Sequence, residues 1–428
     1  LRVVGAVKAR AFAERLHATR EAEPGGPAAP VAGSDSPLPS RRTVERASNL
    51  FRLADTAAPA DPATIRATLP PDAAVIEYYS LPDRLLVFWL TAAGVEVQSA
   101  PVAAKALDEE VERLLLGIRS KGNDYVPAAG RLGRWLLDPI AARLAAARDV
   151  RLLVIVPHGP LHPVPFEALP WAGRLLVDRF AVVTEANLTA VATALRPAPA
   201  AGPAHMLAVG DPRDNLPGAR EEAQEVARRF TGTETLLGAE ARESVVRDAL
   251  GRADLVHFAT HGIRARPDAP LYLELVPDSG FDGRLHADEL AASPTSARLV
   301  VLSVCDSAGG QGGAGDEIPW VVDRAFLEAG ARSVVASRWP VHDAASVLFM
   351  RNFYAGLEGG DLIDAFHRAQ LALRNGRAKP EELGPLLAML DTARGTQAPT
   401  RRRIRDFTHP YFWATFSLRG AWTLPQNP

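Results

Sequence analysis

The sequence predicts a three-layer α/β fold with a mostly parallel central sheet, on three observations. VRLLVIV (150–156) and RLVVLSV (298–304) are largely apolar runs, as expected for strands covered on both faces. Runs of this kind alternate with stretches of helical periodicity, the pattern of βαβ units. Hydrophobic residues make up 47% of the 428 and charged residues 23%, enough apolar material for a large core in a soluble protein.

Residues 1–22 have helical spacing, with Val4, Val7, Phe12 and Leu16 on one side. Residues 23–41 (EPGGPAAPVAGSDSPLPSR) are rich in Pro, Gly and Ser and read as a linker, so 1–45 stands apart from the compact part. AVIEYY (74–79), LLVFWL (85–90) and VEVQ (95–98) read as strands joined by short turns. Residues 104–119 and 129–147 read as amphipathic helices leading into the strand 150–156.

RPAPAAGPA (196–204) then divides a first subdomain, 46–200, from a second, 201–428. The second series is strand 205–211, helices 219–230 and 241–251, strands 254–260, 271–276 and 298–304, helix 320–329 and strand 332–339. A helix over 344–357 follows. Residues 375–406 are polar, end in RRRIRD, and read as a mobile excursion; FWATFSLRG (412–420) reads as a last strand. The chain begins at Leu1 without a basic-then-apolar signal layout and is expected to be a piece of something longer.

The formal net charge of −2 gives no global reason to expect nucleic acid or an acidic membrane as partner, and the basic run at 401–405 reads as a solvated loop. No apolar run approaches the roughly 20 residues that span a bilayer. The single cysteine, Cys305, excludes an intramolecular disulfide framework and a CxxC metal knuckle. It fits a reducing compartment, and a cytoplasmic location is expected. There is no GxSxG elbow for a nucleophilic serine and no GxxxxGK[ST] loop; GGQGGAG (309–315) lacks the lysine a phosphate-binding loop needs.

HFATHG (257–262) holds two histidines four residues apart. A helical HExxH zinc site needs a glutamate beside the first, where this chain has Phe258, and the segment reads as a strand. No metal and no organic cofactor is expected. The informative comparison is between two strand ends: one apolar run stops at His261-Gly262, the other at Cys305-Asp306. In open parallel sheets sites form at the carboxyl ends of strands. Neighbouring strands ending in His and Cys would bring together an imidazole and the thiol it activates. Backbone amides of Gly262 and Cys305 would face the oxyanion of an acyl transfer. A cysteine in an apolar strand is ordinarily a buried small hydrophobe, and His158-Gly159 is a second His-Gly pair after a buried strand, so the residues alone leave the base open.

HFATHG, VVLSVCDSAGG (300–310), AFLEAGARSVVASRWPVHD (325–343) and HPYFWATFSLRG (409–420) together resemble the CHAT domain. LLVIVPHGPLHPVPFEALP (152–170) is similar to the stretch that opens that family's central region, and the resemblance spans roughly residues 50–424. It implies a caspase-like fold, with a pseudo-caspase half before the catalytic half, and relationship to caspases and separases. It assigns His261 as base and Cys305 as nucleophile of an endopeptidase, and puts His158 in the non-catalytic half. The spacing of the pair is close to that of caspases, on the order of 50 residues.

His257 becomes a strand-interior residue bonded to neighbouring backbone. Ser303, Asp306, Trp339 and Asp343 are substrate-pocket candidates. Ser303 stands where metacaspase-like sites carry an aspartate, and Asp343 is the acid remaining near Trp339, which leans the preference toward Arg or Lys at P1. Asp343 also precedes a helix, where N-capping is the plainer role. The family further implies a regulated role in bacterial defence or signalling, a protein or peptide substrate, and an upstream helical-repeat sensor module. Two rival readings use the same residues: a catalytically silent interaction scaffold, and a small ester or amide hydrolase.

Overall fold

In this computed structural model the described residues are 61–197, 204–264, 271–306, 318–358, 361–376, 388 and 406–423, with Arg264, Cys305, Asp306 and 318–321 described in backbone only. The predicted helix and linker at 1–45, the glycine run 309–315 and most of 375–406 lie outside them.

A short helix α1 (Pro62–Thr68) leads into a meander of β1 (Ala73–Ser80), β2 (Leu85–Thr91) and β3 (Gly94–Ala100). Buried residues run through most of β1 and β2, whereas β3 alternates and is largely exposed, as an edge strand does. Helices α2 (Ala104–Arg119) and α3 (Tyr125–Leu137) follow. The single helix expected over 129–147 instead starts at Tyr125 and breaks into α3, a 3-10 turn at Asp138–Ile140 and α4 (Ala141–Ala146). Pro139 causes the break: it lacks an amide hydrogen and its ring crowds the preceding turn. Next come β4 (Leu152–Val156), the small hairpin β5 (Pro170–Trp171) and β6 (Arg174–Leu175), β7 (Ala181–Thr184) and α5 (Leu188–Ala194). The first sheet has the order β3-β2-β1-β4-β7, antiparallel through the meander and parallel from β1 to β7.

The second series is β8 (Met206–Gly210), α6 (Pro217–Ala227), β9 (Thr233–Leu237), α7 (Glu243–Leu250), β10 (Leu255–Arg264), β11 (Leu271–Glu274), β12 (Arg284–His286) and α8 (Ala287–Ala291). It continues with β13 (Leu299–Asp306), α9 (Ile318–Ala329), β14 (Ser333–Ser337), α10 (Asp343–Leu357), α11 (Leu362–Arg374), α12 (Pro410–Trp413) and β15 (Phe416–Gly420). Strands β9, β8, β10, β13 and β14 are parallel; β15 closes one edge antiparallel, and β11 and β12 add an antiparallel flap beside β10.

Strand alternation sorts the side chains into two layers. Val256, Phe258, Val300, Leu302 and Val334 face one cluster, with Val246 of α7, Leu290 of α8 and Phe326 of α9. Leu255, Leu299, Val301 and Val335 face another, with Phe349 and Phe353 of α10 and Phe366 of α11. This second cluster continues without interruption into the first half, through Val75, Val154, Phe166 and Val183.

Strands β7 and β15 lie side by side where the halves meet. Glu185, directly after β7, accepts a bond from the Gly420 amide at 2.7 Å, and Arg419 Nε pairs with Asp323 of α9 at 3.2 Å; all three charged residues are buried. Desolvation outweighs the nearby Arg419 and the Gly420 amide and pushes the Glu185 carboxyl up from 4.5 to about 8. The folded state therefore holds a proton that the unfolded chain has released, so this group's contribution to stability falls as pH rises through that window. Glu185→Gln keeps the neutral shape and should gain on the wild type, in urea unfolding, progressively from pH 5 to 8. A difference that stays constant with pH would remove Glu185 as the source.

Candidate active site

Strands β10 and β13 run parallel in direct register, and that register pairs His261 with Cys305 and Gly262 with Asp306. The sequence expectation that β10 ends at His261-Gly262 is corrected: the strand continues to Arg264. The reason is an exchange of neighbours. β8 pairs with β10 only as far as Ala259, and β11 then takes that side, antiparallel, over Gly262–Arg264. Gly262 is glycine for packing: an added Cβ would collide with the Val304 side chain and lie 3.3 Å from Leu271.

His261 is buried, with 7% of its surface exposed. Its Nε2 lies 3.0 Å from Oδ1 of Asn215, and its Nδ1 has no hydrogen-bond partner among the described residues. Asn215 went unnoticed in the sequence. It sits in DPRDNLPG (211–218), and the only available signal was a turn-rich segment leaving the carboxyl end of a buried strand.

His257 is fully buried, and side chains lie beside both of its nitrogens, in place of the backbone expected from sequence; only the Nδ1 contact has hydrogen-bond geometry. Nδ1 is 3.1 Å from the Tyr354 hydroxyl and Nε2 is 3.1 Å from Glu222 Oε1. Burial, reinforced by the Glu222 charge, raises the Tyr354 phenol well above its usual range. Tyr354 therefore stays protonated and donates to Nδ1, leaving the Nε2 hydrogen toward Glu222. Glu222 also accepts from Ser346 Oγ at 2.5 Å, and Ser346 meets Ser303 Oγ at 2.9 Å. The chain Tyr354, His257, Glu222, Ser346, Ser303 thus ties α10, β10, α6 and β13 together beneath the His261–Cys305 row. His257 thus belongs to this buried network, separate from the contact that His261 makes with Asn215.

The pocket candidates fall at the same carboxyl edge but differ in setting. Ser303 is buried in that network. Trp339 is buried, donates through Nε1 to Tyr411 O at 2.9 Å and stacks on the Tyr411 ring. Asp343 is the first residue of α10, and the N-cap position expected for it belongs to His342. Its side chain packs against Gly218 of α6, where an added Cβ would lie 2.6 Å from Asp343 Cβ. Asp306 stands opposite Gly262 in the strand register. His158 sits at the end of β4 in the other half, where its Nδ1 accepts the Ser80 amide at 3.2 Å and its ring lies against Tyr79. Among the described residues no helix is long and apolar enough to cross a membrane.

A two-sheet α/β architecture with a histidine and a cysteine in register on neighbouring parallel strands defines the class: an α/β protein carrying a His/Cys strand pair. The sequence profile of the CHAT domain matches residues 126–421, and the chain belongs to that family. This membership accords with the resemblance that the motifs carry. Among curated proteins, tetratricopeptide repeat protein 28 of Mus musculus is 26% identical over 326 residues, and its Homo sapiens counterpart is 24% identical. Each match takes in 63% of this chain but only 12% of the relative. Among solved structures, the Saccharomyces cerevisiae separase–securin complex aligns with a TM-score of 0.48 at 10% identity, over 84% of this chain and 31% of that one. A structure titled "Structure of Protease" aligns at 0.38 and 12% identity, over 67% and 69%.

Proposed function

We propose that the chain is a cysteine endopeptidase in which Cys305 is the nucleophile and His261 the general base. The register pairing of the two residues, with a buried imidazole whose Nδ1 is uncommitted among the described residues, carries this reading. His261 takes the thiol proton as the Cys305 sulfur bonds to the peptide carbonyl carbon. The tetrahedral oxyanion is held by the amides of Gly262 and Cys305. It collapses to a thioester as the C–N bond breaks and His261 gives its proton to the leaving amine. Water, deprotonated by His261, then attacks the thioester; the C–S bond breaks and the thiol recovers its proton.

Arg or Lys at P1 is the preferred substrate feature. Asp343, beside the start of α6, supports it, and the same edge carries Asp211 and Asp214, both paired with Arg220, and Glu274, paired with Arg213. The relatives' name supports an upstream tetratricopeptide module that controls a resting peptidase.

A fluorogenic tetrapeptide library, read with and without candidate activating repeat modules, should give highest kcat/KM for Arg and Lys at P1, with Asp343→Ala lowering it about tenfold or more for those two alone. Preference for acidic or apolar P1 residues defeats the basic assignment. Silence toward every peptide, with no labelling of Cys305 by an electrophilic peptide, would instead assign an interaction scaffold of caspase-like fold.

A further inference from the structure

Resting on the His261–Cys305 reading, we infer that Asn215 is the positioning residue that fixes the tautomer and orientation of the His261 imidazole, through a brace built by Asp211 and Arg220. An amide oxygen cannot donate, so the 3.0 Å contact of Asn215 Oδ1 with Nε2 requires the imidazole hydrogen to be on Nε2. Nδ1 is then the basic nitrogen, and it is the one without a partner among the described residues.

The segment that delivers Asn215 is held unusually tightly. Asp211 is buried, and its Oδ1 accepts from the amides of Asn215 and Leu216, each at 2.7 Å. Its Oδ2 accepts from Arg220 Nε at 3.0 Å, and Arg220 also bonds Asp214. The Asp211 amide donates to Ala259 O at 3.1 Å, two residues before His261 on β10. Asp211 and Asp214 have φ of +49° and +55°. Backbone at such angles in non-glycine residues costs free energy and persists where surrounding bonds over-determine it, as they do here. One strand thus carries both the imidazole and the anchor of the loop that grips it, so small motions of β10 move base and positioning group together.

The neutral amide matters for the chemistry. A carboxylate in this place would bias the imidazole toward the charged form; the amide orients it and leaves its basicity to the surroundings. Among the described residues, the charged groups on the elements beside the end of β10 include Asp211, Asp214 and Arg220 from the loop and α6, Glu274 of β11 paired with Arg213, and Asp343 of α10. Asp306 follows Cys305 on β13.

Cys305 is the only cysteine in the chain, so alkylation by iodoacetamide reads this thiol alone. Its rate is to be followed from pH 4 to 10 in the intact chain, with no peptide substrate. The wild type should show a thiolate limb well below the usual thiol range, and His261→Ala should lose it. Asn215→Ala should lower the rate at pH 6 roughly tenfold or more and move the limb toward an ordinary thiol. Asn215→Asp should restore the low-pH limb and place it at or below the wild-type position, because a carboxylate favours the imidazolium that pairs with the thiolate; this variant also decides the matter if the alanine variant fails to fold. An Asn215→Ala profile identical to wild type, or an Asn215→Asp limb as high as that of His261→Ala, overturns the positioning role while leaving the dyad standing. If His261→Ala also matches the wild type, the dyad itself falls.

Discussion

On the proposed mechanism, Cys305→Ala and His261→Ala should each bring peptide turnover down to background, a loss of at least about a thousandfold in kcat/KM. General acid–base catalysis by a positioned side chain is typically worth about 10² to 10⁴, and loss of the nucleophile removes the covalent route altogether. The double variant should be no worse than either single one, because residues acting as one unit are strongly non-additive. His158→Ala provides the contrast. Its imidazole serves the Ser80 amide and the Tyr79 ring in the other half, and turnover should survive its loss. Initial rates on the best library peptide, with circular dichroism to verify folding, check all four variants. Loss in His158→Ala equal to that in His261→Ala, with folding intact, would move the base to the first half.

The largest stability effect falls on a different pair. Glu167→Ala should destabilise the chain by about 3–5 kcal/mol, the usual consequence of stranding one member of a buried ion pair. Arg338 Nη1 donates to Glu167 Oε1 at 2.5 Å and to the carbonyls of Ala414 and Phe416 at 2.9 and 3.1 Å. Arg338 is 8% exposed and Glu167 1%. Glu167 belongs to a 3-10 turn of the first half, and Arg338 follows β14 in the second. Removing the carboxylate leaves a guanidinium with two carbonyls and no counter-charge. Replacing both at once, as Glu167→Leu with Arg338→Met, should recover most of the loss, since the desolvation cost disappears with the charges. Urea unfolding of the singles and the double makes the cycle. A Glu167→Ala penalty under about 1 kcal/mol would mean that water or Gln370, whose amide reaches Glu167 at 3.4 Å, already carries the interaction.

What sequence could and could not reveal follows from how far apart the relevant signals lie. β4, β10 and β13 were legible because a strand covered on both faces must be apolar along its length. β7 and β9 were not: AVVT is four residues among loops, and TETLL is a polar edge strand that only its pairing with β8 identifies. The His261–Cys305 pairing could be guessed from two strand ends, yet the guess stopped β10 early. The arrival of β11 on the side vacated by β8 is a tertiary event with no local trace in HFATHG. Likewise, nothing in the spacing of Asp211, Asn215 and Arg220 marks them as partners of a histidine that comes some 40 residues later; the fold brings them together. His257 and His261, near neighbours in the chain, are pulled into separate networks because β10 has different strands and helices beside each.

The apolar layer shared by the two sheets has a bearing on how this protein is handled. A cut at the Pro/Ala connection near residues 198–203 would split a single interior rather than separate two finished ones: Val335, Phe349 and Phe366 would lose their cover on one side of the cut, Val154, Phe166 and Val183 on the other. Neither fragment is then expected to fold by itself, and a substitution that loosens the first half should also lower the stability of the second, because the two share one wall of side chains.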